Sequence, residues 1–565
     1  MKKLLTLLSV IALSASLSAM AGSRGVPAVY KNGQLTVDGK PFTLLAGELH
    51  NSTTGSVPYM RDVWKQMADK NLNTVIAAAS WELVEPEEGK FNFREVDAMI
   101  DGARDAGLRL VVLWFGSWKN GDSSYTPSWV KLDQKRFPRA HFQDGQPTQA
   151  LSPLGKESQK ADARAFAALL AHIRDYDQAG TVIMVQVENE LGSVDVLSTF
   201  TGTPNRGMRD YSPAADKAFK GAVPKALITY LKKHKGALHP AVEAAWKRSG
   251  YRTSGSWEEV FGTGTLTLKE GSWQDTYPYL TEELFNTWQY ALYVEAVASA
   301  GKKEYPLPMY VNAWQKTEGQ CVPGNYPCGG PLPHVSDIWK AAAPSIDFLS
   351  PDIYATNVYD WICDGYTQAG YPLFIPETTS SPDGASRAFY TFGKYGAACY
   401  APFGIDSAKG FSYDITYALL GRYLDEIQGG KTAGLLIDPP AGRTMDQAEL
   451  GGYRFILIPN NTELFTALTG ASADAEEAAL TPVSGVLILQ RSAEEFLILG
   501  GVGPATLSVT STSGKNAAVL SVDEIRQNTD GSEYLHRLNG DETSMGITSF
   551  APGQVKALRV RLYQY

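Results

Sequence analysis

The chain has 565 residues, 44% hydrophobic and 20% charged, with a formal net charge of -9. This is the composition of an ordinary globular protein, long enough for more than one domain. An acidic balance without any basic run argues against a nucleic-acid partner.

Lys2-Lys3 precede the apolar run Leu4 to Leu17, and Ala19-Met20-Ala21 places small residues before Gly22. That pattern is a secretory signal peptide over residues 1–21, so the mature protein is expected in the periplasm or secreted. Its apolar core is shorter than the roughly 20 residues a spanning helix needs, and no later stretch qualifies, so no membrane partner is expected.

Beyond the signal, Asn32-Gly33 and Asp38-Gly39 are hairpin dipeptides. They lead into a short buried strand, Thr43 to Leu45, which runs on through Ala46-Gly47-Glu48-Leu49-His50. A helical pattern from Met60 to Lys70 follows, then a strand from Asn73 to Ala79 closed by Ser80-Trp81-Glu82. Helix Arg94 to Ala106, strand Leu108 to Phe115 and helix Gln159 to Tyr176 come next, then the apolar run Thr181 to Val187. The alternation resumes with helix Glu282 to Ala300 and strand Pro308 to Asn312. Strand ends follow at Ile346 to Ser350, at Leu373-Phe374-Ile375 and at Tyr400 to Gly404, before helix Tyr413 to Ile427. Eight strand–helix units predict an α/β fold, a (β/α)8 TIM barrel over residues 22–428.

Residues 195–280 interrupt the alternation as an inserted lid region on the substrate side. Helices are expected over Ala214 to Leu231 and His239 to Arg248, and Trp257, Trp273, Tyr277 and Tyr279 suggest a cleft wall. From 429 to 565 the texture changes to short alternating runs such as Tyr453 to Ile458 and Val555 to Leu562, an all-β, sandwich-like C-terminal domain. All 12 Trp lie between Trp64 and Trp361, so this domain lacks the usual sugar-stacking side chain and reads as structural.

Four cysteines, Cys321, Cys328, Cys363 and Cys399, form no CxxC pair, and no HExxH occurs, so neither a structural zinc, a catalytic metal nor a cofactor is expected. Cys321 and Cys328 flank a Pro/Gly-rich loop that a disulfide between them could close.

The chemistry concentrates in Met184-Val185-Gln186-Val187-Glu188-Asn189-Glu190-Leu191-Gly192. A buried strand that ends in two carboxylates and an amide is costly unless those groups are paired or sit at the open end of a parallel barrel, where substrates bind. Phe374-Ile375-Pro376-Glu377-Thr378 is a second buried strand with a single terminal carboxylate. Counted along the chain these are strands four and seven, opposite each other across a barrel mouth. Two facing carboxyl groups are what glycoside hydrolysis needs, one to protonate the leaving oxygen and one to attack the anomeric carbon or activate water. Glu377 is therefore the candidate nucleophile.

Gln186-Val187-Glu188-Asn189-Glu190-x-Gly192 resembles the acid/base strand of clan A glycoside hydrolases, most closely the family 35 β-galactosidases. Gly47-x-x-His50 and the run Trp81 to Phe93 extend the resemblance, with Val84 where the family has His. The resemblance implies that Glu190 is the general acid/base, that Asn189 contacts the sugar 2-hydroxyl, and that configuration is retained through double displacement. Ala78 and Phe115-Gly116-Ser117 depart from family residues that hold galactose hydroxyls. The implied activity is an exported exo-β-galactosidase acting on oligosaccharides or polysaccharides, with xyloglucan side chains as one substrate. Another clan A β-glycosidase, or an inactive sugar-binding protein on the same fold, are the alternatives. Other expected substrate contacts are His50, Trp81, Glu82, Trp118, Asn312, Trp314 and Tyr354, all at strand ends, with core packing as the competing role of each Trp. Tyr354 is also placed to hydrogen-bond Glu377, and Glu188 reads as an ion-pair partner in the barrel wall. A homodimer is compatible with the sequence.

Overall fold

A computed structural model describes residues 27–408, 413–460, 481–538, 540–544 and 546–565. The signal segment, residues 1–21, lies outside the described residues. Val29–Lys31, Gln34–Val37 and Lys40–Pro41 form a three-stranded antiparallel sheet. Its two turns carry positive φ at Asn32 and Gly33 (53° and 80°) and at Asp38 and Gly39 (51° and 75°), the paired left-handed backbone that Asn-Gly and Asp-Gly supply at low cost.

Eight parallel strands then close into a barrel: β1 (Leu44–Glu48), β2 (Thr74–Ser80), β3 (Arg109–Lys119), β4 (Val182–Asn189), β5 (Met309–Ala313), β6 (Phe348–Ile353), β7 (Phe374–Thr378) and β8 (Cys399–Pro402). They lie in sequence order around the ring, β8 pairing with β1. The principal helices that follow them are α1 (Val63–Asp69), α2 (Arg94–Asp105), α3 (Lys156–Tyr176), α4 (Leu280–Glu304), α5 (Ser336–Ala342), α6 (Tyr359–Gln368), α7 (Pro382–Tyr395) and α8 (Tyr413–Arg422). Strand alternation sorts the apolar residues. Leu44, Ala46, Ile76, Ala78, Val111, Leu113, Met184, Tyr310, Phe348 and Phe374 fill the barrel interior. Leu45, Val75, Ala77, Val112, Val185, Val187 and Ile375 pack outward against the helices. Both faces are covered, which is why the strands read as continuous apolar runs.

The insertion after β4 differs from expectation in detail. The single helix expected over Ala214 to Leu231 is two, Pro213–Phe219 and Lys225–His234. Pro224, with no N–H to donate, stands at the start of the second. Trp257 is buried against Phe261 and against Phe285 of α4 rather than lining a cleft, while Trp273 packs edge-on against Trp361 at 5.3 Å. The helix expected from Tyr413 to Ile427 divides at Tyr423, with Leu424–Gly429 as its continuation. Cys321 and Cys328 are free thiols, so the expected disulfide is absent; Cys328 is buried and its thiol donates to the Met208 carbonyl.

C-terminal to the barrel, a six-stranded antiparallel sheet faces a four-stranded one. Leu435, Val486, Ile488, Phe496 and Ile498 of the first and Phe455, Leu457 and Leu507 of the second form one sandwich core. The other face of the six-stranded sheet is covered over its central strands. Leu487, Leu489, Leu497 and Leu499 join the core around the barrel helices. The seat is α7, the helix after β7. A Cβ at Gly485 would lie 1.9 Å from the Ser386 carbonyl oxygen, so only glycine permits that approach. A buried ion pair, Arg387 to Asp438 at 2.5 Å, fastens the contact. No helix among the described residues is long and apolar enough to cross a membrane.

Candidate active site

The carboxyl end of β4 breaks its own alternation. Met184 faces the barrel interior, so Gln186 and Glu188 should follow it. Glu188 instead adopts a positive φ of 63°, and Glu190 one of 45°. For a non-glycine side chain that backbone costs on the order of 1 kcal/mol or more and persists only where the surroundings enforce it. The twist sends Glu188 outward through the barrel wall. There it accepts a 2.8 Å hydrogen bond from the Trp118 N–H and meets the carboxyl of Asp162 on α3. Asp162 also accepts from Trp114 Nε1 at 2.9 Å and Ser117 Oγ at 2.6 Å. Glu188 is thus no ion-pair partner: burial and the neighbouring Asp162 push its carboxyl well above the usual range. Gly116 makes room, since a Cβ there would lie 2.8 Å from Glu188 Oε1.

With Glu188 turned out, Asn189 and Glu190 face the mouth. Asn189 is fully buried; its amide donates to Asn120 Oδ1 at 3.2 Å and its Oδ1 accepts from Gln186 at 3.0 Å and Asn312 at 3.2 Å. Asn312, at the end of β5, accepts from the Glu190 backbone N–H at 3.0 Å and donates to Asp352 Oδ2 at 2.8 Å. The Asn312 amide is thus engaged with the Glu190 backbone, Asn189 and Asp352, so it positions Glu190 rather than presenting a free contact.

Glu190, Asp352 at the end of β6 and Glu377 at the end of β7 each bring a carboxylate oxygen within 4.8 Å of the others. All three are buried. Tyr354 donates to Glu377 Oε1 at 2.5 Å. Glu48, at the end of β1, faces the same space and is 1% exposed. One buried cation, Lys119, stands near Glu48 and Glu190. Four carboxyl groups with one ammonium cannot all be ionised in a dry site. Burial, then the charge of Glu377, pushes Glu190 up to about 7, with Lys119 opposing. Asp352 is held well above the carboxylate range by burial, Glu377 and Glu190. The three clustered oxygens are hard donors that could gather a divalent cation. Asn312 engages one oxygen of Asp352 and Tyr354 one of Glu377, and burial holds Glu190 and Asp352 towards their neutral, protonated forms.

The remaining expected contacts divide. His50 is half-exposed beside the mouth, its Nδ1 2.9 Å from Asp406. Trp314 is half-buried just past β5 and stays a candidate platform. Trp81 and Trp118 are corrections. Trp81 is wholly buried, its indole N–H bonded to Glu85 at 2.9 Å and its ring edge-on to Trp129. Trp118 is buried between Tyr290 and Tyr293 and donates to the Leu151 carbonyl. Neither presents a face to a sugar. Glu82 pairs with Lys131 at 3.2 Å on a part-exposed surface. Sequence reasoning passed over Glu48, Lys119 and Asp352. Each carries the same signal as Glu190 and Glu377, a charged residue at the end of a buried strand.

Residues 34–289 match the family model described as glycosyl hydrolases family 35, and residues 412–549 match a domain of unknown function, DUF5597. Beta-galactosidase-1-like protein 3 of Homo sapiens is 31% identical over 196 residues, covering 33% of this chain and 26% of the relative. A beta-galactosidase of Xanthomonas manihotis is 30% identical over 171 residues, 28% of this chain and 25% of the relative. The chain thus spans about a quarter of the length of these curated relatives. Among solved structures, a beta-galactosidase from the psychrophilic Marinomonas ef1 aligns over 68% of this chain and 60% of its own, at 13% identity and a TM-score of 0.43. The catalytic domain of a beta-amylase from Paenibacillus polymyxa aligns over 67% and 97%, at 12% identity and 0.46. Glu190 lies inside the matched segment and Glu377 beyond it. The likeness to glycosyl hydrolases family 35 thus extends over residues 34–289.

Proposed function

We propose that the protein is a retaining exo-β-galactosidase, with Glu190 as general acid/base and Glu377 as nucleophile. The observation that carries this reading is the approach of the two carboxyl groups, oxygens within 4.8 Å across the barrel mouth. Retaining enzymes hold their carboxyl groups about 5–5.5 Å apart, whereas inverting ones leave about 6.5–9.5 Å for a water. The family 35 match and the β-galactosidase relatives support the galactoside; Ala78 and Ser117, where family members hold galactose hydroxyls differently, leave the hydroxyl contacts to other residues. The N-terminal signal pattern supports export, and oligosaccharides or polysaccharides such as xyloglucan side chains are the proposed substrates.

The chemistry follows from the geometry. Glu377, hydrogen-bonded by Tyr354, attacks the anomeric carbon while Glu190, held protonated by burial and by the charge of Glu377, gives its proton to the leaving oxygen. Esterification removes the charge of Glu377, the proton affinity of Glu190 falls, and Glu190 then takes a proton from the incoming water. Asn312 fixes the backbone at Glu190 throughout. A panel of nitrophenyl glycosides tests the substrate, with β-galactoside expected to be fastest. Glu377→Ala is expected to lose nearly all turnover and, with azide, to give an α-glycosyl azide. A variant keeping more than about a tenth of kcat, a loss under roughly 1.4 kcal/mol, overturns the nucleophile assignment.

A further inference from the structure

Glu48 lies at the carboxyl end of β1 and keeps the inward alternation of Leu44 and Ala46. Its carboxyl is surrounded by Glu377, Glu190 and Lys119. Although the residue is 1% exposed, neither Oε1 nor Oε2 has a hydrogen-bond partner. A buried carboxyl with both oxygens unmatched is costly, and native structures tolerate it where something else supplies the partners. The same space holds other unmatched oxygens, Asp352 Oδ1, Glu377 Oε2 and the Tyr310 hydroxyl. Lys119 Nζ donates to Asn120 Oδ1 at 2.6 Å and makes no hydrogen bond to Glu48. The ring formed by these atoms matches a ligand rich in hydroxyl groups, each able to donate and accept.

We propose that Glu48 is a specificity-determining residue that hydrogen-bonds an adjacent pair of hydroxyl groups on the sugar lying between Glu190 and Glu377. Burial, and then the charge of Glu377, hold its carboxyl well above the usual range. In that form one oxygen donates and the other accepts, which suits two neighbouring hydroxyls without placing another full charge beside the nucleophile. The inference rests on reading the mouth as a glycosidase site.

The test pairs enzyme variants with 3-, 4- and 6-deoxy nitrophenyl β-glycosides of whichever sugar the wild-type enzyme hydrolyses fastest. If that sugar is not galactose, the galactoside reading fails and the Glu48 test proceeds on the other sugar; if no glycoside is hydrolysed, both readings fall. For the wild type, removing a contacted hydroxyl is expected to lower kcat/KM about 100-fold. For Glu48→Ala, the fully hydroxylated substrate is expected to fall by a similar factor, and the same deoxy analogue to lose less than about threefold further. Glu48→Met fills the volume without polar atoms and repeats the comparison should the alanine variant not fold. Glu48→Gln keeps one donor and one acceptor and is expected to restore discrimination. Deoxy penalties unchanged in Glu48→Ala or Glu48→Met overturn the proposal, as does a Glu48→Gln enzyme that discriminates no better than Glu48→Met.

Discussion

Removing the charge of Glu377 should lower the proton affinity of Glu190, and the structure sets the size of the change. The rise of Glu190 from 4.5 to about 7 corresponds to roughly 3 kcal/mol in favour of the protonated acid. A unit charge on Glu377 at 4.8 Å supplies about 3.5 kcal/mol at an effective dielectric of about 20. Burial is the larger cause, however, and Lys119 offsets part of both. Neutralising Glu377 should therefore remove a fraction of the rise, about 1.4 kcal/mol or one pH unit. Trapping a 2-fluoro glycosyl group on Glu377 performs this substitution without a mutation. Carboxyl carbon-13 resonances, with Glu190→Gln to assign the signal, would then report Glu190 titrating about one pH unit lower in the trapped enzyme. In kinetics, the basic limb of kcat/KM should lie near 7 and disappear in Glu190→Ala with activated leaving groups. Oligosaccharides, whose leaving groups need protonation, should slow by about a hundredfold or more. A Glu190 signal that stays in place or moves upward on trapping refutes the coupling. Equal slowing of both substrate types in Glu190→Ala refutes the acid/base role.

The same perturbation has a stability consequence of definite sign. Between about 4.5 and 7 the folded chain holds a proton on Glu190 that the unfolded chain releases, so stability falls as pH rises through that window. Glu190→Gln should raise the unfolding free energy from urea titration at pH 8 by up to about 3 kcal/mol and leave it nearly unchanged at pH 4; equal shifts at both would contradict this. Arg387→Ala leaves Asp438 buried and unpaired between α7 and the sandwich and should cost about 3–5 kcal/mol in urea unfolding; a loss below 1 kcal/mol would mean the seat is held by its leucines alone. Dialysis against a chelator should leave activity within about twofold, because burial holds Glu190 and Asp352 towards their protonated forms, which are poor cation ligands; recovery only on adding a divalent ion would reverse that expectation.

Local sequence determined much of this molecule. Asn-Gly and Asp-Gly dictate their turns because few other pairs accept two positive φ angles. The eight apolar runs dictate parallel strands because only a sheet covered on both faces can bury them continuously. Glu190 and Glu377 were visible because a carboxyl ending a buried strand is expensive anywhere but at a barrel mouth. What sequence could not supply was orientation and company. Strand alternation assigns Glu188 to the interior, yet the left-handed backbone at that residue turns it to Asp162, a partner on a helix that only packing brings near. Trp81 and Trp118 sit at strand ends as a sugar platform would, but whether an indole faces the mouth or the core depends on neighbours far along the chain: Trp129 for one, Tyr290 and Tyr293 for the other. Glu48, Asp352 and Lys119 became site residues only when ring closure brought β1, β6 and β3 around one space. Charges interact through distance, and distance between strands so far apart in the chain is set by the closed barrel, not by spacing in sequence.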